Sequence, residues 1–64
     1  MKETELWQRM RIQLGDGYYR VWASEQHLAG LGGRTVEQAV SEGTPAKTVW
    51  RAVWAALELP ERER

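Results

Sequence analysis

His27 is the sole histidine in the chain, and Ser24 and Ser41 are its only serines. A serine nucleophile activated by a histidine–carboxylate pair would draw on these residue types. Ser24 and His27, however, fall on the polar side of a predicted helix, where no cleft is implied. One histidine and no cysteine exclude a multi-histidine or thiolate metal centre. No catalytic, metal or cofactor residues are therefore assigned, and the chain is not expected to be an enzyme.

The other candidate for ligand chemistry is the stretch HLAGLGGRTVEQAV, residues 27–40, which holds Gly30, Gly32 and Gly33 ahead of Arg34 and Thr35. A phosphate-cradling loop of the Walker type needs G-x-x-x-x-G-K-[ST] after a strand. Leu28 stands at the place of its first glycine, Arg34 at that of its lysine, and no strand precedes. The dinucleotide pattern G-x-G-x-x-G also fails, because Thr35 follows Gly30-x-Gly32-x-x. The segment reads instead as a corner between helices, with glycine supplying a left-handed residue and Thr35 capping the next helix.

Glu25 interrupts an apolar stripe, three residues after Trp22 and three before Leu28. A carboxylate buried there without a partner would cost several kcal/mol. The expectation is a structural clasp: Glu25 bonded to Arg34, to the free amides near Thr35, or to both.

Four short helices carry these residues. Leu6, Trp7, Met10 and Leu14 draw one stripe after a Thr4 cap, ended by Gly15, and leave Ile12 on the opposite side. Asp16 is the expected cap of a second helix with Tyr18, Val21, Trp22, Leu28 and Ala29 inward. Thr35-Val-Glu-Gln38 is a capping box opening a third helix with Val36, Ala39 and Val40, ended by Gly43. Pro45 suits the first position of a fourth, whose face is Val49, Trp50, Val53, Ala56 and Leu57. Leu59-Pro60 closes that helix. Residues 1–3 and 60–64 are expected to fray. Sustained alternation of period two is absent. The expected fold is all-α: a small bundle of four short helices around a tryptophan-rich core, in one domain spanning 1–64.

Composition agrees with a folded domain near the lower size limit. The 64 residues contain only 12 Leu, Ile and Val, no Phe and no cysteine, but four Trp and two Tyr. Each of those aromatics can bury about 150–250 Å². Nine basic and nine acidic residues cancel, so the overall basic footprint of a nucleic-acid binder is missing. Membrane insertion is not expected, for no apolar run approaches the roughly 20 residues a span requires. MKETEL lacks a signal peptide's apolar region, and the expected location is cytoplasmic.

Two surfaces remain. Ala39, Gly43 and Val49 follow the spacing of a helix-turn-helix, but Gln38, Glu42 and Thr44 occupy positions normally apolar there. The recognition helix would offer only Lys47 and Arg51. Trp54 lies at the margin of the fourth helix beside Lys47, Arg51 and Glu58. With exposed Ile12, these residues form the candidate partner surface, since Trp and Arg are enriched at binding hot spots.

Leu6-Trp7, Trp22-Ala23, Leu28-Ala29, Leu31-Gly-Gly-Arg-Thr-Val36 and Val49-Trp-Arg-Ala-Val53 together resemble a family of short actinobacterial proteins, domain of unknown function 3046. The resemblance brings no established activity and no catalytic residues. Relatives often carry cysteine where this chain has Trp54, so a thiol role at that position does not transfer. The family's genes often lie near those for recombinase A and its regulator, which implies a link to DNA recombination or repair by association only. The leading expectation is a small cytoplasmic protein-interaction module with an unidentified protein partner, self-association being left open. The alternative is a helical nucleic-acid-associated domain with weak binding.

Overall fold

The computed structural model describes all 64 residues, in four α-helices: α1 Glu3–Leu14, α2 Tyr19–Glu25, α3 Val36–Ser41 and α4 Ala46–Ala56. Short 3-10 turns follow α2 at Ala29–Leu31 and close the chain at Glu61–Glu63. No strand forms, and the fold is the expected small all-α bundle. None of its helices is long and apolar enough to cross a membrane.

Straight-chain helix formers dominate α1, with Glu3 and Glu5 in its first turn and Arg11 in its last, matching the helix dipole. The helix starts one residue before the expected Thr4 cap. The Lys2 carbonyl opens it, accepting from the amides of Glu5 and Leu6. Leu6 and Met10 are buried, Trp7 and Leu14 partly so. Gly15 ends it at φ 93°.

α2 departs further from expectation. It begins at Tyr19, and Asp16 reaches back to Arg11 (Oδ1 to Nε, 3.4 Å) rather than capping it. The helix turns Tyr19, Trp22 and Ala23 toward the core, leaving Tyr18 51% and Val21 45% exposed. It stops at Glu25, because Gln26 is extended and Leu28 pairs with Arg34 in an isolated antiparallel bridge. Leu28 and Leu31, three apart across the 3-10 turn, then both enter the core. Burying two leucines with a satisfied turn outweighs another helical turn through a glycine-rich stretch.

The corner is docked directly on α4. A Cβ on Gly30 would stand 3.0 Å from the Ala52 Cβ and 3.3 Å from its Cα, while Gly32 and Gly33 take φ 66° and 87°. Thr35 then makes the full capping box: the Gln38 amide donates to Oγ1 (3.1 Å), and the Thr35 amide donates to Gln38 Oε1 (2.9 Å). α3 ends in a Schellman turn at Gly43, where Thr44 N–H donates to Ala39 O and Gly43 N–H to Val40 O.

Pro45 precedes α4 as its cap residue, one position earlier than expected. Val49, Trp50, Ala52 and Val53 are buried. The helix ends at Ala56 in a second Schellman turn, with Glu58 at φ 53° where glycine is usual.

The final residues, expected to fray, turn back onto the bundle. Trp50 Nε1 donates to Glu63 O (3.0 Å) and Trp54 Nε1 to Pro60 O (2.9 Å). Gln13 Nε2 donates to Glu63 Oε1 across from α1 (3.3 Å). A buried or half-buried indole needs an acceptor, and the tail supplies two carbonyls. ERER reads as a solvated charge run because backbone acceptors leave no trace in side-chain composition.

Candidate functional site

The serines and the histidine are held in local bonds. Ser24 Oγ donates to Val21 O (2.9 Å) and Ser41 Oγ to Gln38 O (3.2 Å), each within its own helix. His27 Nδ1 lies 2.8 Å from Gly33 O, a carbonyl to which only a protonated Nδ1 can donate. That bond closes the glycine corner from outside. No group of three His, Asp or Glu side chains converges to hold a metal.

Four successive amides of the corner, those of residues 31–34, are unavailable to a phosphate. The N–H groups of Leu31, Gly32, Gly33 and Arg34 donate to Leu28, Ala29, Leu28 and Leu31 carbonyls in turn. A cradle needs those donors pointing at the ligand, and here they are spent on the turn.

The clasp forms with a different acid. Glu25 is exposed and makes no ion pair, whereas Arg34 Nε contacts Glu42 Oε1 at 2.7 Å and Nη1 donates to Leu31 O at 3.1 Å. The expected Glu25–Arg34 pair is lost because α2 ends at Glu25 itself, so the stripe that would have buried the carboxylate does not continue to Leu28. Thr35 is buried as the helix cap, and its amide already bonds Gln38.

Of the candidate partner surface, Ile12 is 74% exposed on the outer side of α1. It lines a hollow of about 300 Å³ with Arg9, Gln13, Arg62, Glu63 and Arg64. Lys47 and Arg51 are exposed on α4. Trp54 is half-buried, bonded to Pro60 and overlain by Arg64 at 5.8 Å from the ring centroid. The tail thus joins Ile12 to Trp54, since Arg64 adjoins both.

A larger hollow, about 430 Å³, opens between α1 and α2 and is lined by Thr4, Trp7, Gln8, Arg11, Tyr19 and Arg20. Arg20 lays its guanidinium over Trp7 (4.1 Å to the ring centroid) and beside Tyr19 (5.4 Å). The two rings meet edge-on at 6.3 Å. None of these six residues stands out in the sequence as a site. Trp7 reads as core from its place on the α1 stripe, and only the true start of α2 brings Tyr19 and Arg20 against it.

The fold and its indole-anchored tail define a small all-α domain. Residues 1–62 match the family model described as protein of unknown function (DUF3046), and the chain belongs to that family. No curated protein and no solved structure matches it significantly.

Proposed function

We propose that the chain is a non-catalytic cytoplasmic module that binds a protein partner through the outer face of α1 and the C-terminal turn packed beside it. The observation that carries this reading is Ile12, 74% exposed in a hollow bordered by three arginines. An isolated exposed aliphatic residue is ordinary. One seated among guanidinium groups, in a concave site, has the make-up of an interface centre. The local charges Arg9–Glu5 (3.0 Å) and Arg64–Glu61 (2.6 Å) are already paired, so the rim is fixed without a partner.

Affinity capture from native cytosol, with and without nuclease, tests the reading. The parent chain should retain a protein that survives nuclease, and Ile12→Asp should lose it while melting like the parent. Capture that vanishes with nuclease would instead favour the nucleic-acid alternative. Retention unchanged by Ile12→Asp would remove this face from consideration.

A further inference from the structure

We propose that the hollow between α1 and α2 is a recognition site for an acidic peptide segment of the partner, a proposal that rests on the protein-interaction reading above. Its lining combines two guanidinium groups, Arg11 and Arg20, with an amide, a hydroxyl and two aromatic rings, and includes no carboxylate. Its volume, about 430 Å³, lies within the range of about 300–1,000 Å³ that accommodates compact ligands.

Arg20 decides the chemistry. It enters no ion pair in the chain, whose four such pairs use Arg9, Arg11, Arg34 and Arg64. Its face is occupied by Trp7 at 4.1 Å, which leaves the donor edge of the guanidinium for a ligand. A guanidinium held flat on an aromatic ring is preorganised for the planar, two-pronged bond to a carboxylate. Arg11 is tied only to Asp16, at 3.4 Å and with the Asp16 side chain 86% exposed, so an incoming anion can take its place. Trp7 and Tyr19 are half-buried and present ring surface beside the charges. The complementary segment therefore carries aspartate or glutamate next to an apolar or aromatic residue.

A nucleic-acid strand fits less well. Affinity for a phosphate backbone scales with the cations it meets, and this hollow has two. Glu3 sits at the rim, accepting from Trp7 Nε1 at 3.1 Å, and Asp16 stands beside Arg11. Two acids so placed add repulsion for each further phosphate of a continuous anionic chain.

The test selects a random peptide library on the full chain, then titrates a selected peptide, its Asp/Glu-to-Asn/Gln counterpart and a thymidine oligonucleotide. The readout is the Trp7 indole and Arg20 Nε–H resonances. Selected sequences should be enriched in Asp and Glu, and the amide counterpart should bind on the order of tenfold more weakly. Arg20→Gln should lose a similar factor while still folding cooperatively, its melting temperature lowered only by the lost stacking on Trp7. Arg20→Lys, which keeps charge without the fork, should recover only part of the affinity. Selection without acidic enrichment overturns the proposal, as does an affinity indifferent to Arg20→Gln or stronger shifts with the oligonucleotide. If Ile12→Asp abolishes capture of a protein while the library shows no acidic preference, the interaction reading stands and this site falls alone.

Discussion

The Trp50 indole N–H donates to the Glu63 carbonyl, 3.0 Å away and thirteen residues further along the chain. Trp50 is 1% exposed, so its donor has no water to turn to. The C-terminal turn is therefore part of the core's hydrogen-bond accounting, although its side chains are mostly charged. Trp54 repeats the arrangement with Pro60.

Removing residues 60–64 should leave the Trp50 donor unpaired and uncover its ring. An unsatisfied buried donor costs about 1–3 kcal/mol, and a domain this small shifts its melting point by about 4–8 °C per kcal/mol. A thermal melt followed by tryptophan emission should show an earlier transition and a red-shifted native spectrum. A truncated chain that melts with the parent would show that the tail is dispensable. Trp50→Ala should be far worse, losing about 3–5 kcal/mol and with it the cooperative transition.

Glu58→Gly should stabilise the protein by about 0.5–1 kcal/mol. Glu58 holds φ 53° to let Leu59 N–H reach Trp54 O (3.1 Å). A residue with a Cβ pays about 1–2 kcal/mol in that conformation, and glycine gives part of it back through its freer unfolded chain. Urea denaturation of the variant should show a higher midpoint at an unchanged slope. A lower midpoint would mean that the Glu58 side chain contributes more than the turn geometry implies.

Gly30→Ala should destabilise by about 1–3 kcal/mol, as overpacking against a rigid neighbour does. The added Cβ meets Ala52 at 3.0 Å, on a helix whose Cα at 3.3 Å cannot retreat without moving α4. Pairing it with Ala52→Gly should recover part of the loss, less the helix penalty of about 1 kcal/mol for glycine. Equal stability of Gly30→Ala and parent would mean that the corner is not seated on α4 as described.

Much of this was legible in the sequence because it depends on local chemistry. The Thr35–Gln38 box, the Gly43 turn and the core stripe Val49, Trp50 and Val53 are set by neighbours three or four residues apart, and periodicity reads such spacing. α2 departs from its periodicity because its end is decided elsewhere. Leu28 leaves the helix to pair with Arg34 and bury itself beside α4, a gain visible only once α4 is in place. The same long-range contact removed Glu25 from the core and placed Arg34 on Glu42. The α1–α2 hollow leaves no trace in the sequence for a related reason, since Trp7 and Arg20 are joined by the packing of two helices.

The contrast between Thr35 and Glu25 gives the sharpest check on the corner. Both lie beside the LGGRT segment, yet only Thr35 is bonded into it, through two reciprocal bonds with Gln38. Thr35→Ala should remove the cap from a buried position and cost about 1–2 kcal/mol. Glu25 is exposed, at the end of α2, with no ion pair, so Glu25→Gln should stay within about 0.5 kcal/mol of the parent. Arg34→Gln belongs with the second class: its pair with Glu42 is about half exposed on both sides (51% and 54%), and surface pairs contribute about 0–1 kcal/mol. Its second bond, to the Leu31 carbonyl, is part-buried and should put its loss at the upper end of that range. Chemical denaturation of the three variants should therefore rank them Thr35→Ala, Arg34→Gln, Glu25→Gln in decreasing loss. A Glu25→Gln chain as damaged as Thr35→Ala would mean that the carboxylate reaches the corner in solution after all.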